Sequence, residues 1–388
     1  MLGQIWEVTL MNLRNLPSRL GSSSVIVVGI AGVVGVLIGL LSMASGFAAA
    51  LEGNAGENRA IVLRAGATSE MNGNLSREEL NIVSLIDGVV AASGELFVVA
   101  DIPKKTTNTP ANVVIRGVSD AAFEVRPEVK IVSGRMFETG RNEVIAGIKA
   151  ADQFSDLQIG DEVQLRGDAV WQVVGHFSAD GAAYEGEVWS DLATTQAAFR
   201  RGSTMNTMRL ILQDEAAAQL VSKAIEADPR LEVALQTEKD YYQKQSQGRA
   251  DLINTFGYTV AMIMAVGAVF AALNTMYSAV SARTVEIATL RALGFGNTPV
   301  VISVMLEALM LALAGGLLGG LIVYLAFDGY TASTLNNASF SQVAFDFAVT
   351  PELLTQGLTW ALLLGLIGGL FPAVRAARLP ITTALRGE

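Results

Sequence analysis

The strongest constraint on this 388-residue chain comes from four long apolar stretches. They run over Val25–Phe47, Leu252–Ala279, Val300–Phe327 and Leu353–Phe371. A helix needs about 20 apolar residues to cross the hydrocarbon core of a bilayer, and each stretch meets that length. Charged residues make up only 16% of the chain and the mean hydropathy is +0.42, which argues against an ordinary soluble protein. The sequence therefore predicts four transmembrane helices.

The first stretch has a second interpretation, a cleaved signal peptide. Arg14 and Arg19 precede it, and the small residues Ala48–Ala50 follow it in the manner of a cleavage site. The apolar part of a signal peptide usually spans about 7–15 residues, and Val25–Phe47 is longer than that. We therefore favour a retained membrane anchor.

The distribution of basic residues predicts the orientation of the helices. Outside positions 48–250, the Lys and Arg residues are Arg14, Arg19, Arg283, Arg291, Arg375, Arg378 and Arg386. They precede the first stretch, lie between the second and third, or follow the fourth, whereas 328–352 has none. Because basic residues collect on the cytoplasmic side, both termini and the 281–298 segment are predicted to be cytoplasmic.

The predicted fold class is a membrane α-helical protein, with a large α+β extracytoplasmic domain inserted between transmembrane helices 1 and 2. Its segments are a cytoplasmic interfacial helix (1–20), helix 1 (21–47), the outer domain (48–250), helix 2 with a stalk (251–280), a charged cytoplasmic helix (281–298), helix 3 (299–327), a short outer loop (328–352), helix 4 (353–372) and a cytoplasmic tail (373–388). A plain loop is the alternative to the stalk that leads into helix 2.

The outer domain is acidic and of mixed secondary structure. It holds 20 basic and 29 acidic residues, which accounts for −9 of the chain's net charge of −10 and excludes nucleic acid as a partner. Strand-like and helix-like stretches predict two βαβ-like pieces with a β-rich insertion at about 109–206. One helix is predicted to begin at a capping box of Ser76 and Glu79, and Gly167–Asp168 to form a hairpin turn.

The apolar stretches contain two kinds of residue that invite a functional interpretation. Glycines at helical spacing predict close helix packing, within one chain or across a dimer; they are Gly35, Gly39, Gly315, Gly316, Gly319 and Gly320. The polar residues Asn274 and Glu307 lie near the predicted inner ends. Because Arg283, Arg291 or Asn274 could satisfy Glu307, a structural or coupling role is favoured over proton or substrate handling.

The segment SARTVEIATLRALGFGNTP, 281–299, predicts a short amphipathic helix with a stop at each end. Val285, Ala288, Ala292 and Leu293 would form its apolar side. Gly294 is the expected left-handed cap. Thr298 and Pro299 are the expected start of transmembrane helix 3, as N-cap and first helical residue.

Within this segment, RTVEIATLRALGF resembles the signature of the FtsX/MacB-like permeases of ABC transporters, roughly R-x-x-E-I-x-x-L-R-A-x-G. The tail FPAVRAARLPITTALR and the stretch VSGRMFETGRNEVIAG in the outer domain are also similar to that family. The resemblance implies a coupling helix that docks on an ATPase subunit. The residues it assigns to coupling are Arg283, Glu286, Ile287, Leu290, Arg291 and Gly294, and it matches the tail at Pro372, Arg375 and Arg378.

The resemblance also implies partners. They are two copies of an ABC ATPase, a second permease copy, a periplasmic adaptor (membrane-fusion) protein with an outer-membrane channel, and the lipid of a bacterial inner membrane. No G-x-x-x-x-G-K-[ST] motif is present, so ATP and Mg are expected in the partner ATPase and no cofactor or metal in this chain. The alternatives left open are an FtsX-like subunit that activates a cell-wall hydrolase or sensor, and a heterodimer of permeases.

An enzyme is the least favoured interpretation. The chain has no cysteine, and its one histidine, His176, lies in a strand-like stretch as a core residue would. Neither a Ser/His/Asp set nor a His-based metal site is therefore expected. The substrate stays open.

Overall fold

The computed structural model describes residues 20–53, 55–167, 169–336 and 341–380. The chain divides into two compact units. The helical unit contains the chain up to residue 45, 251–329 and the chain from 348, and the α+β unit contains 46–250 and 330–347. Nearly all of the predicted interfacial helix 1–20 and the end of the predicted tail lie outside the described residues.

The helices and strands alternate irregularly along the chain. The helices are α1 (Leu20–Glu52), α2 (Arg77–Ser84), α3 (Ala121–Val125), α4 (Ile148–Gln153), α5 (Leu192–Ala198), α6 (Ala217–Ala227), α7 (Glu238–Ala282), α8 (Thr284–Ala292), α9 (Asn297–Phe327) and α10 (Pro351–Arg378). The strands are β1 (Arg59–Arg64), β2 (Val89–Pro103), β3 (Pro110–Val118), β4 (Lys130–Gly134), β5 (Glu143–Gly147), β6 (Glu162–Arg166), β7 (Ala169–Ser178), β8 (Val188–Asp191), β9 (Thr207–Leu212), β10 (Val233–Thr237), β11 (Thr331–Asn336) and β12 (Ser341–Asp346).

Among the described residues, four helices are long and apolar enough to cross a membrane: α1, α7, α9 and α10. Glycines of α9 let neighbouring backbones approach closely. A Cβ added at Gly319 would lie 2.5 Å from the carbonyl oxygen of Ala31 in α1, and one at Gly316 would lie 2.7 Å from Cβ of Ala361 in α10. Larger residues at these two positions would force the helices apart.

A Cβ added at Gly315 would also be too close, at 2.8 Å from the carbonyl oxygen of Val27 in α1, whereas Gly320, Gly35 and Gly39 lie in looser surroundings. A Cβ at Gly320 would lie 3.3 Å from Leu354, and one at Gly35 would lie 3.7 Å from Val323, which are ordinary or slightly tight contacts. No described atom lies within 4 Å of a Cβ placed on Gly39. Of the six predicted packing glycines, those that require close approach within this chain are Gly315, Gly316 and Gly319, all in α9.

The α+β unit is built on one sheet of ten strands, in the order β10-β1-β9-β2-β3-β8-β5-β7-β4, with β6 paired to β7. The segments β1–α2–β2 and β9–α6–β10 supply the four antiparallel strands at one end, a split βαβ arrangement. The strands between them in sequence, β3 to β8, extend the same sheet from the edge of β2. The long strand β2 therefore belongs to both halves.

Two local predictions for the α+β unit are confirmed. The Ser76 hydroxyl accepts a hydrogen bond from the Glu79 amide at 3.1 Å, and the Glu79 carboxylate accepts one from the Ser76 amide at 2.7 Å, which is the predicted capping box. Strands β6 and β7 form the predicted antiparallel hairpin, with Gly167 at φ +58° between them.

The segment between α9 and α10, expected as a short loop, contains the antiparallel hairpin β11–β12. The hairpin packs into the α+β unit. Phe345 is fully buried with its ring centroid 5.6 Å from that of Phe47, and the Asp346 carboxylate lies 3.0 Å from the Lys149 amine. The hairpin is therefore part of the domain core, although about 95 residues separate it from β10 in the chain.

Candidate functional site

The helix α8 ends at the left-handed glycine cap that the sequence predicts. Gly294 has φ +96°, and its amide donates to the Arg291 carbonyl at 3.1 Å. The Phe295 amide donates to the Leu290 carbonyl at 3.1 Å. Together these two bonds form a Schellman motif, which satisfies carbonyls that the end of a helix would otherwise leave unpaired. The nine-residue helix α8 therefore has a defined end.

The predicted start of transmembrane helix 3 is wrong by two residues. Gly296, in the extended conformation, is the N-cap of α9, and the helix begins at Asn297. Thr298 and Pro299 lie in the first turn. A proline is tolerated there because the first amides of a helix have no carbonyl partner within it.

The structure buries one of the four residues of the predicted apolar side of α8, Ala288, and exposes the other three. Ile287 and Ala288 are buried, whereas Val285 is 54% and Leu293 74% exposed. Ala292 is exposed as well. The buried stripe thus follows a different face of the helix, and α8 presents apolar side chains outward at both of its ends.

Arg283 occupies the single position between α7 and α8, and its side chain points inward. One terminal nitrogen of its guanidinium lies 2.5 Å from an oxygen of Glu307 in α9. The two side chains are 3% and 5% exposed. Arg283 is one of the three partners that the sequence predicted for Glu307. Asn274, another of them, is exposed on α7.

The other residues that the sequence assigned to coupling fall into two groups. Arg291 donates to the Leu379 carbonyl, just past the end of α10, and Leu290 is half-buried. Glu286 and Gly294 are exposed. The set is thus divided between groups that hold α8 in place and groups on its outer surface.

The predicted tail residues lie on the last turns of α10. Pro372 is buried inside this helix, and Arg378 is exposed. The Arg375 guanidinium lies over the ring of Tyr277 in α7, 5.4 Å from the ring centroid. A cation over an aromatic face is attracted to it, so this contact joins α10 to α7.

Sequence reasoning missed a large group of buried charges in the α+β unit, which we call the charge cluster. It consists of Glu70, Glu95, Arg116, Arg126, Glu187, Arg209 and Glu238, each of which is buried. Buried charges are rare in proteins unless they are paired. The available signal was an arginine within otherwise apolar strands, at NVVIRGV and MRLIL.

Arg116 in β3 is the centre of the charge cluster. Its guanidinium lies 2.7 Å from Glu187, 2.9 Å from Glu95 and 3.0 Å from Glu70. Burial alone would raise the pKa of Glu70, but Arg116 and Arg209 outweigh burial and hold that pKa at about 2. Glu70 therefore stays ionised at neutral pH in spite of its burial.

The charge cluster reaches the start of the longest helix. Glu238, the first residue of α7, is paired with Arg209 of β9. The Glu70 amide donates to the Tyr241 hydroxyl at 3.3 Å, one turn further along α7. The first turn of α7 is therefore fixed to the sheet by charged and hydrogen-bonded contacts.

Neither unit shows a metal-binding arrangement in the described ranges. No group of three or more His, Cys, Asp or Glu side chains there is placed to hold a metal ion. His176 in β7 has its Nε2 atom 2.8 Å from the Leu157 carbonyl oxygen.

Comparison with protein-family models gives two matches. Residues 23–228 match the model of the MacB-like periplasmic core domain. Residues 258–381 match the model of the FtsX-like permease C-terminal region. The two matches together take in α9, α10, most of α1, the second half of α7 and most of the α+β unit.

The chain is similar in sequence to ABC transporter proteins, at a low level of identity. The macrolide export ATP-binding/permease protein MacB of Pasteurella multocida is 25% identical over 311 residues, which is 74% of this chain and 45% of that protein. The uncharacterized ABC transporter permease YknZ of Bacillus subtilis is 25% identical over 300 residues, 71% of this chain and 70% of that one. This chain therefore spans less than half the length of that MacB protein.

Solved structures of outer domains are also similar. The periplasmic region of MacB from Actinobacillus actinomycetemcomitans aligns with a TM-score of 0.38 and 13% identity, over 48% of this chain and 92% of that one. The extracellular domain of YknZ aligns with a TM-score of 0.35 and 13% identity, over 46% of this chain and 100% of that one.

Proposed function

Because the chain belongs to the family of ABC transporter permeases with a MacB-like periplasmic core domain and an FtsX-like permease region, we propose that it is a permease subunit driven by a separate ATPase. Hydrolysis of ATP by that subunit moves the extracytoplasmic α+β unit, and this movement extrudes a substrate from the outer side of the membrane. The observation that carries the proposal is the short helix α8. Its buried side packs against the rest of the helical unit, and its outer surface exposes apolar residues.

The proposed contact with the ATPase is the α8 outer face, defined by Val285, Glu286, Thr289 and Leu293. All four are exposed. Exposed apolar residues beside a charged one are typical of the centre and rim of a protein interface. A cleft with an apolar floor and a basic rim on the ATPase would be complementary to this face. Arg283 and Ile287 are buried, so they support the face and do not touch the partner.

The proposed assembly follows the family pattern. Two ATPase copies bind two permease copies in the inner membrane of a bacterium, with both termini and α8 on the cytoplasmic side. A periplasmic adaptor and an outer-membrane channel complete a route for the substrate. The arginines that flank the apolar helices support this orientation, because basic residues favour the cytoplasmic side.

The match to the FtsX-like permease region supports a second candidate. In that alternative the same ATP-driven movement activates a cell-wall hydrolase or a sensor, and no substrate is extruded. Both candidates place the ATPase on α8 and differ in what the α+β unit contacts.

The test compares two substitutions with the same chemistry. Val285→Asp changes the α8 outer face, and an acid in the first turn is compatible with the helix because it lies near the positive end of the helix dipole. Val132→Asp is the matched control, since Val132 in β4 is 56% exposed and Val285 54%. Each full-length variant is purified from its native cells in mild detergent, and the bound proteins are identified and quantified by mass spectrometry.

The proposal predicts that the parent and Val132→Asp retain an ABC ATPase in equal amounts, whereas Val285→Asp loses most of it. Retention by Val285→Asp at the level of the parent would refute the α8 contact. An adaptor among the proteins that bind the parent supports extrusion, and a hydrolase or sensor kinase supports the alternative. A parent that carries no ATPase would overturn the proposed function as a whole.

A further inference from the structure

The connection between α7 and α8 is a single residue with a defined geometry. Arg283 has φ −110° and ψ +13°, outside the helical range of its neighbours. Its amide donates to the Val280 carbonyl at 3.1 Å, and its carbonyl accepts from the Ile287 amide at 2.9 Å. The backbone of Arg283 therefore closes the end of α7 and starts α8, with no flexible linker between them.

The side chain of the same residue is bound to a third helix. The Arg283 guanidinium pairs with Glu307 at 2.5 Å and also donates from Nε to the Ala279 carbonyl at 3.3 Å. Glu307 lies ten residues after the start of α9, which is about 15 Å along the helix at 1.5 Å per residue. Within the described part of the chain, Arg283 and Glu307 have no other ion-pair partner. One residue thus joins α7, α8 and α9.

A buried pair of this kind is not needed for stability alone. Removing two charges from water is costly, and well-packed apolar residues of similar volume often replace a buried ion pair without loss of stability. An ion pair differs from apolar packing in its directionality, because its charge-assisted hydrogen bond fixes one relative position of the two side chains. The pair therefore suits a role in which α8 and α9 must move together.

We propose that the Arg283–Glu307 pair passes displacement of α8 to α9, so that Arg283 is a positioning residue for coupling and not a contact with the ATPase. This inference rests on the proposed function. Without the pair, displacement of α8 would reach α7 through the backbone of Arg283 but would not be passed to α9. With it, α9 moves, and the contacts of Gly319 with α1 and Gly316 with α10 carry the movement to the rest of the helical unit.

The experiment follows movement at the far end of α9, away from the pair. The chain has no cysteine, so Leu325→Cys, at a position 75% exposed near the end of α9, gives one labelling site for a nitroxide spin label. Glu307 and Leu325 are about 27 Å apart along the helix at 1.5 Å per residue. The labelled permease is reconstituted in liposomes with its ATPase, and the label spectrum is recorded without nucleotide and with a non-hydrolysable ATP analogue.

Three permeases are compared: the original pair, the apolar pair Arg283→Met with Glu307→Met, and the reversed pair Arg283→Glu with Glu307→Arg. The proposal predicts that all three bind the ATPase, because the α8 outer face is unchanged. It predicts that the nucleotide-dependent spectral change is at least about fivefold smaller in the apolar pair. A factor of about five is the lower end of the coupling typically found between two sites in a protein. The reversed pair should restore most of the change.

An apolar pair with the full spectral change would overturn the proposal, since packing alone would then be sufficient. If the reversed pair fails to fold, the apolar pair still decides the question, because its comparison needs only the original protein. Failure of the proposed function gives a different result, in which the original permease itself binds no ATPase or shows no nucleotide-dependent change.

Discussion

Replacing Glu95 by Gln is expected to destabilise the α+β unit strongly. Glu95 is fully buried and accepts hydrogen bonds from both terminal nitrogens of Arg126, at 2.6 and 2.7 Å, and from Arg116 at 2.9 Å. Glutamine has the same shape but carries no charge, so the substitution leaves no cavity. Among the described residues, Arg126 has no second carboxylate partner, and its Nε atom has no hydrogen-bond partner at all. Arg126 would remain buried and uncompensated.

The size of the effect follows from that uncompensated charge. Removing one partner of a buried ion pair typically costs about 3–5 kcal/mol. The free energy of unfolding of a whole domain is about 5–15 kcal/mol, so the loss would be a large part of it. Because about 1.4 kcal/mol corresponds to a factor of ten, the population of the opened domain should rise roughly 140- to 3,700-fold.

The assay is amide hydrogen exchange with mass spectrometry on the full-length protein in detergent, read on peptides from β2 and β3. Slow exchange of core strands reports the opening of the domain. The matched control is Glu232→Gln, since Glu232 is 76% exposed and pairs with Arg64 at 3.2 Å on the surface. An exposed pair contributes about 0–1 kcal/mol. If exchange in Glu95→Gln rises no more than in the control, the reasoning about the charge cluster is refuted.

Two further predictions concern acid stability and helix packing. Burial would raise the pKa of Glu70, but Arg116 and its fellow arginines lower it from 4.5 to about 2, so its stabilising contribution is complete above about pH 4.5 and is lost as the pH falls towards 2. Thermal unfolding measured from pH 7 to pH 2 should show this acid loss, and a profile that is flat down to pH 2 would contradict it. Gly319→Ala should lower the free energy of unfolding of the detergent-solubilised protein by about 1–3 kcal/mol, because the added Cβ would lie 2.5 Å from the Ala31 carbonyl oxygen. Thermal unfolding measures this loss. Gly39→Ala should have no such effect, and equal losses in the two variants would show that the packing at Gly319 is not special.

The features that sequence reasoning predicted well are local ones. The four apolar helices follow from stretches of about 20 apolar residues, and the end of α8 follows from Gly294, whose φ of +96° is one that glycine adopts without strain. The capping box of Ser76 and Glu79 is likewise determined by four consecutive residues. In each case the residues that determine the structure are neighbours in the chain.

The features it missed depend on residues far apart in the chain. Glu70 and Arg209 are separated by 139 positions, and no local pattern indicates that they meet. The inward position of Arg283 depends on Glu307, 24 positions away, and a nine-residue helix is too short for its own apolar pattern to specify which face is buried. The exposure of Val285 and Leu293 could be read only from the folded chain.

The hairpin β11–β12 has a consequence for the order in which the protein is made. The core of the α+β unit includes Phe345, which packs on Phe47, but Phe345 is synthesised only after the whole of α9. During translation, residues 46–250 therefore leave the ribosome with part of their apolar surface uncovered, and they stay so until α9 has been inserted and the hairpin follows it. We expect a fragment of residues 46–250, which lacks most of α1, to expose the surface around Phe47 and to need a chaperone or detergent to stay in solution.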